Sequence, residues 1–219
     1  MRACGVGPHV STIGPDMLLA FDTSSAACTA ALFDASGACV AHADEVIGRG
    51  HAERLVPMIA ELMDGRSASR ILVGVGPGSF TGIRVAIAAA HGLAIGWGAE
   101  LLGMSSLALL AAGARSREKV AAAVTGGHGE LFVQEYDALT LQPTSELRNA
   151  RPADAARAIA APLVVGSGAR QLVEARGWGE VRELWPLASN ALTLPGSQRQ
   201  LPPKPVYARA PDARVPEAA

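Results

Sequence analysis

One segment constrains the fold more than any other: the glycine-rich heptapeptide GPGSFTG at residues 76–82. It follows the apolar run RILVGV at residues 70–75, which is typical of a buried strand, and precedes a stretch expected to be helical over residues 83–96. At such a junction, backbone N–H groups and the positive end of the helix dipole can face an anion. An ordinary strand-to-helix turn explains the same residues. The candidate anion-binding residues are Gly76, Gly78, Ser79, Thr81 and Gly82.

The helix after this loop carries small residues at every fourth position, which places them on one face. They are Gly82, Ala86, Ala90, Ala94 and Gly98. Small side chains let another helix approach closely. That helix is either part of a partner or the chain's own amphipathic helix, predicted over residues 51–64. Arg84 in the first turn opposes the helix dipole, which indicates a partner such as an Asp, a chain terminus or an anion.

The order of predicted elements indicates an α/β fold built as two lobes. Three strands, a helix, a strand, a helix and a strand form the order of a ribonuclease-H-like half. After residue 116 a second, less regular set of strands and helices repeats the theme. We therefore predict mixed sheets flanked by helices, with lobes at residues 17–115 and 116–209. Residues 1–16 are predicted to be a disordered extension and residues 210–219 a loose tail.

Composition excludes several classes of protein. Charged residues make up 18% and apolar residues 49% of the 219-residue chain, which excludes a disordered protein. The net charge of −1 gives no global attraction to nucleic acid. Three cysteines without CxxC spacing argue against a disulfide framework or zinc site and favour the cytoplasm. The longest uncharged run, residues 85–99, falls short of a bilayer span.

Four segments together resemble the TsaB family, the non-catalytic subunits of the bacterial machinery that installs N6-threonylcarbamoyladenosine in tRNA. They are AFDTS at residues 20–24, HAERLVPM at 51–58, GPGSFTGIRVAIA at 76–88 and PVYAR at 205–209. The resemblance implies a two-lobed actin-like ATPase fold with a degenerate second lobe. It implies a TsaD-like catalytic partner, a TsaE-like ATPase, a homodimer of the isolated chain, and tRNA contacts made only through the complex. ATP and a metal are implied for the partner subunits and no cofactor for this chain.

A partner interface on the helices of the first lobe also follows from the resemblance and the small-residue pattern. Its predicted residues are His51, Leu55, Arg84, Ala86, Ala90 and Ala94. One departure concerns the second-lobe hairpin, where the family pattern Asp-Ala-Arg is replaced by VTGGHGE at residues 124–130. The segment between residues 62 and 71 is also shorter than expected. The missing Asp and Arg argue against an anion-binding role for the second lobe.

No catalytic residues are predicted. The resemblance places the metal-binding His pair of the catalytic paralogue at residues 103–107, which read GMSSL here, and no two histidines are three to five residues apart. No serine lies in a GxSxG motif. Asp22 has no second-lobe carboxylate partner of the kind an actin-like kinase requires. The alternative function is a stand-alone enzyme of the actin-like fold, either a sugar-kinase-like phosphotransferase or a glycoprotease-like metallopeptidase.

Overall fold

A computed structural model describes residues 16–206 of the protein. The predicted tail at residues 210–219 and all but the last residue of the predicted N-terminal extension lie outside this range. The segment PVYAR is described only for its first two residues. The remaining sequence forms two five-stranded sheets joined by helices.

The first sheet has the strand order β3-β2-β1-β4-β5. The strands β1 to β3 are antiparallel neighbours, whereas β4 and β5 run parallel to β1. Parallel neighbours need crossover connections, and the helices α1 and α2 supply them. The elements are β1 (Leu18–Asp22), β2 (Ala27–Phe33), β3 (Cys39–Val46), α1 (His51–Met63), β4 (Arg70–Gly74), α2 (Phe80–Trp97) and β5 (Glu100–Met104).

The second sheet repeats this topology. Its order is β10-β9-β6-β7-β8, in which β6 to β8 are antiparallel and β9 and β10 are parallel to β6. Read from its other edge, the order matches that of the first sheet. The elements are α3 (Ser106–Gly113), β6 (Val120–Thr125), β7 (Leu131–Tyr136), β8 (Arg148–Ala150), α4 (Pro152–Ala158), β9 (Leu163–Val165), α5 (Ala169–Arg176) and β10 (Glu180–Arg182). The internal duplication suggested by the sequence is therefore present in the architecture.

The buried apolar residues of the described structure form three clusters. One lies between the two sheets, and the other two lie on their outer faces. The outer face of the first sheet packs against α1 and α2, and the outer face of the second sheet packs against α4 and α5. Between the sheets lies α3, whose eight residues include six that are buried. This central helix is apolar all round because it is covered on every side.

The last part of the chain returns to the first lobe. The hydroxyl of Thr29 on β2 donates to the Pro186 carbonyl at 2.9 Å and accepts from Ala188 N–H at 3.2 Å. Residues 188–193 form a 3-10 helix, and α6 (Gly196–Arg199) follows. Gly103 and Leu201 then exchange backbone hydrogen bonds, and Val206 N–H donates to the Val75 carbonyl. Residues 186–206, here called the C-terminal strap, thus support β5 and the strand that leads into the glycine-rich loop.

Among residues 16–206, one helix, α2, is long and apolar enough by length and composition to cross a membrane. Its inner side is part of the first-lobe core, where Gly82, Ile83, Ala86, Ile87 and Ala90 are buried. That arrangement is what a core helix of a folded lobe provides.

Candidate functional site

The glycine-rich loop packs directly on the turn that follows β1. A side chain at Gly78 would meet the Ser24 carbonyl oxygen, and one at Gly82 would meet the Thr23 carbonyl oxygen. Thr23 Oγ1 also donates to the Gly82 carbonyl at 2.7 Å. Any residue larger than glycine would push the two segments apart. The loop is further shaped by a cis peptide bond between Gly76 and Pro77.

Hydrogen bonds from the chain itself occupy part of this loop. The N–H of Gly76 donates to Ser106 Oγ, and the N–H of Ser79 donates to the Ser24 carbonyl. Ser79 is the N-cap of α2, and its hydroxyl accepts from Gly82 N–H at 3.2 Å. These groups are engaged within the protein, which is what a structural strand-to-helix turn requires. Anion binding by the loop stays a prediction.

Asp22 at the end of β1 is completely buried. Its Oδ1 accepts from both the N–H and the hydroxyl of Ser24 at 2.7 Å, and its Oδ2 accepts from the Ser106 hydroxyl at 2.5 Å. Burial raises the pKa of Asp22, against the opposing effect of the hydrogen bonds from Ser106 and Ser24. A side chain at Gly74 would overlap this carboxyl group. Asp22 therefore ties β1 to the loop and to α3.

The two serines at the position of the paralogue's metal ligands have local structural contacts. Ser105 is the N-cap of α3, and its hydroxyl accepts from Ala108 N–H at 3.2 Å. Ser106 joins Asp22 to the N–H of Gly76. Within residues 16–206, no three His, Cys, Asp or Glu side chains are grouped so that they could hold a metal ion.

The second-lobe hairpin is short and exposed. Thr125 ends β6, and its N–H donates to Ser167 Oγ at 3.2 Å. Gly126 N–H donates to the Glu130 carbonyl and closes the turn, with His128 at a φ of 59°. A carboxylate equivalent to Asp22 is absent from this hairpin as the structure describes it. The geometry is that of a tight turn rather than a second half of a phosphate site.

The structure corrects half of the predicted interface. Leu55, Ala86 and Ala90 are each 0% exposed and belong to the core between the helices and the first sheet. The small-residue face therefore serves packing within the chain, which was the alternative explanation of the pattern. Helical spacing predicts which residues share a face, but it does not predict what covers that face.

The other predicted interface residues lie outside this core. His51 and Ala94 are half-buried, and Arg84 is exposed. The Arg84 guanidinium stacks over the Phe80 ring, 3.7 Å from its centroid. The Phe80 ring, one turn earlier on the same helix, is thus a partner of this cation. The sequence had suggested an Asp, a chain terminus or an anion, and not an aromatic ring.

The outward side of α1 and α2 is the apolar surface that sequence reasoning missed. Ile95 is 84% exposed and Val56 is 51% exposed. A groove of about 310 Å³ runs between the two helices, lined partly by Val56, Met63, Leu93 and Trp97. Ile95 does not line this groove, because helical spacing turns it to the side of α2 opposite Leu93 and Trp97. The signal for Ile95 was present in the sequence, since this residue lies away from the small-residue face of α2. We call Val56, Leu93, Ile95 and Trp97 the outer apolar face.

Comparison with known proteins finds relatives named TsaD and TsaB. A family model described as TsaD, tRNA N6-adenosine threonylcarbamoyltransferase, matches residues 43–157. The tRNA threonylcarbamoyladenosine biosynthesis protein TsaB of Escherichia coli (strain K12) is 36% identical over 127 residues, 54% of this chain and 54% of that protein. TsaB of Haemophilus influenzae is 34% identical over 126 residues, 54% of this chain and 52% of that protein. The chain spans about half the length of the curated relatives it matches.

Solved structures extend the likeness to most of the chain. An uncharacterized protein with similarity to peptidase YeaZ from Pseudomonas aeruginosa is 31% identical, with a TM-score of 0.76, over 89% of this chain and 100% of that one. YeaZ from Pseudomonas aeruginosa is 30% identical, with a TM-score of 0.74, over 88% of this chain and 99% of that one.

The duplicated sheets and the glycine-rich loop define a two-lobed protein of the actin-like ATPase fold, as predicted. The TsaD family model covers more than half of the chain, which places it among TsaD-related proteins. Within this class, the chain belongs to the TsaB family.

Proposed function

We propose that this chain is a non-catalytic scaffold subunit in the biosynthesis of threonylcarbamoyladenosine in tRNA. In this role it binds and activates a TsaD-like catalytic subunit in the cytoplasm, together with a TsaE-like ATPase. Membership of the TsaB family supports the pathway. ATP and the metal belong to the partner subunits, and tRNA is contacted through the complex.

The outer apolar face is the observation that carries the scaffold role. Val56, 51% exposed at the groove, and Ile95, 84% exposed elsewhere on α2, would both lose contact with water if a partner covered these helices, which is favourable for apolar side chains. We place the catalytic partner on this face and expect the isolated chain to form a homodimer through the same face.

The state of Asp22 supports a non-catalytic role. In an actin-like kinase the carboxylate after the first strand must face metal and phosphate. Here both carboxyl oxygens accept hydrogen bonds from Ser24 and Ser106, and the side chain is completely buried. Among residues 16–206, no group of His, Cys, Asp and Glu side chains that could hold a metal ion supports the alternative of a stand-alone kinase or metallopeptidase. Elemental analysis that finds one tightly held iron or zinc per chain would favour that alternative.

Substitution of the outer apolar face tests the proposal directly. Ile95→Glu and Val56→Glu place carboxylates where the partner would bury them, so binding of the TsaD-like subunit should weaken at least tenfold. Leu139→Glu is the matched control, because Leu139 is 77% exposed on the second lobe, away from these helices. Binding is measured by pull-down and calorimetry with the catalytic subunit. Equal binding by all three variants would place the interface elsewhere.

The pathway is tested in cells that lack the native protein. Restoring Leu139→Glu should restore N6-threonylcarbamoyladenosine in tRNA, whereas restoring Ile95→Glu should not. Synthesis of the threonylcarbamoyl-adenylate donor should be the same in all strains, because a scaffold acts after the donor is made. Full modification of tRNA without the protein would contradict the proposed function.

A further inference from the structure

The groove between α1 and α2 is lined mainly by aliphatic and aromatic side chains. The lining includes Val56, Ala60, Met63, Leu93 and Trp97, with Arg66 just after the end of α1. Two nitrogens of the Arg66 guanidinium already donate to the carbonyls of Leu62 and Met63. Val56 and Ala60 are exposed, so the groove is open to solvent. Such a surface favours a chain segment that is apolar and carries little charge.

The described part of the chain begins beside one end of this groove. Ser69 N–H donates to the Met17 carbonyl at 2.9 Å, and Glu100 N–H donates to the Ser69 carbonyl at 2.9 Å. Ser69 follows the groove residue Arg66 by three positions, and Glu100 follows the groove residue Trp97 by three positions. Three residues span at most ~10 Å. The part of the chain that precedes the described residues therefore starts within reach of the groove.

Residues 1–15, here called the N-terminal segment, have a composition that suits this groove. They include Val6, Val10 and Ile13, they contain no acidic residue, and Arg2 is their one arginine or lysine. Apolar side chains gain free energy on leaving water, whereas burial of an unpaired charge is costly. Most of the segment can therefore enter an apolar groove without bringing a charge with it.

The spacing of Val10 and Ile13 matches the length of the groove. From Val56 to Met63, α1 rises about 10 Å. In a polyproline II conformation, which has three residues per turn, Val10 and Ile13 would share a face and lie about 9 Å apart. Pro8, shortly before them, has a fixed backbone angle that is compatible with this conformation. Both side chains can therefore contact the groove at the same time.

The C-terminal residues outside the described range fit the groove less well. Val206 N–H donates to the carbonyl of Val75, which lies beyond the end of β4 that is opposite to Arg70. Residues 207–219 thus start at the far end of this strand. They also carry four charged side chains, those of Arg209, Asp212, Arg214 and Glu217. Position and charge both favour the N-terminal segment.

We propose that the N-terminal segment docks into the groove between α1 and α2 of its own first lobe, with Val10 and Ile13 as its anchors. There it covers part of the outer apolar face and competes with the TsaD-like subunit, a consequence that rests on the proposed function. The segment is then an autoinhibitory element, because the catalytic subunit binds only when the segment has left the groove.

Disulfide formation within one chain tests the docking. The full chain carries Cys4→Ser and Cys39→Ser, which leave one native thiol that is buried. Thr12→Cys lies between the two anchors and is combined with Ala60→Cys in the groove. Ile95→Cys is the matched control, because it is exposed on the side of α2 opposite the groove. In dilute solution, mass spectrometry should show at least fivefold faster disulfide formation with position 60 than with position 95.

Substitution of the anchors tests which side chains hold the segment. Val10→Ser combined with Ile13→Ser removes both anchors and should abolish the preference for position 60. Val6→Ser is the matched control, because it removes an equally apolar side chain outside the anchored part. This variant should keep the preference.

Binding of the catalytic subunit measures the autoinhibition. Without introduced cysteines, the variant with both anchors replaced should bind the TsaD-like subunit at least threefold more tightly than Val6→Ser in calorimetry, because no fraction of the chain would be closed. Equal binding together with faster crosslinking at position 60 would support the docking and place the catalytic subunit away from the groove. Failure of the proposed function is thus distinguishable from failure of the docking.

Two outcomes would overturn the docking. The first is equal crosslinking at positions 60 and 95, which would show that the N-terminal segment moves freely around α2. The second is a disulfide that joins two chains instead of forming within one, which would assign the groove to a second copy.

Discussion

At the scale of single residues, Asp22 shows how a polar group becomes structural. Actin-like enzymes need a carboxylate at the end of the first strand that faces a ligand. In this chain the neighbouring hydroxyls of Ser24 and Ser106 turn toward the carboxylate and bury it. Hydrogen bonds stabilise its charged form, but loss of water around it has the larger effect and raises the pKa.

The raised pKa of Asp22 makes stability depend on pH in a direction opposite to that of a paired carboxylate. The folded chain holds this proton to higher pH than the unfolded chain, whose ordinary value is 3.8. Protonation of Asp22 therefore contributes its full amount to the free energy of unfolding below pH 3.8. This contribution declines as pH rises toward the pKa of Asp22 in the folded chain. Asp22→Asn removes the titration, so the unfolding free energy of the natural chain minus that of the variant should fall with rising pH. Urea unfolding from pH 4 to 8 measures this difference, and a constant difference would contradict it.

At the scale of elements, the two sides of α2 differ in their exposure to solvent. Its inner side is packed against the first sheet, and its outer side carries Ile95. The small-residue spacing predicts close helix packing, either against a partner or within the chain. The packing exists, but the chain itself supplies the other surface.

Two alanines on α2 provide a matched test of this assignment. Ala90 is completely buried and Ala88 is exposed on the same helix. Ala90→Glu should destabilise the isolated chain by several kcal/mol, because its carboxylate would be buried and unpaired. Ala88→Glu should change stability by no more than ~0.5 kcal/mol. Thermal unfolding of both variants measures this difference, and similar melting temperatures would show that Ala90 is not buried in the core.

Elements with clear local signals were predictable from sequence. The strand-like run at residues 70–75 and the helix predicted over residues 51–64 agree with β4 and α1 to within one residue, because apolar runs and flanking turn residues are local properties. The strands at residues 148–150 and 180–182 were missed. Each has only three residues and is stabilised by its neighbours rather than by its own pattern.

The candidate site was predictable only in part for the same reason. Its loop was evident from the glycines, and Ser79 of this loop is the N-cap of α2. The link between Asp22 and Ser106 joins residues 84 positions apart, which no local pattern reveals. The outer apolar face likewise depends on which side of each helix the sheet covers.

At the scale of the whole molecule, the C-terminal strap packs residues that follow the second sheet against the first lobe. Thr29→Val keeps the shape of the side chain but leaves the Pro186 carbonyl and Ala188 N–H without their partner. Each buried unsatisfied group costs about 1–3 kcal/mol, so the free energy of unfolding should fall accordingly. Thr29→Ser retains the hydroxyl and should lose much less. If denaturant unfolding gave equal losses for both variants, the methyl group rather than the hydrogen bonds would anchor the strap.

The strap also determines when the first lobe can be completed during synthesis. Thr29 and its partner Pro186 are 157 residues apart. At ~5–20 residues per second, a ribosome needs roughly 8–30 s to make that stretch. From the synthesis of Met104 until the end of this interval, the nascent first lobe has all of its strands but lacks the strap beside β5 and Val75. A premature stop codon shortly before residue 186 is therefore expected to yield a chain that quality control removes, although every strand of both sheets has been made.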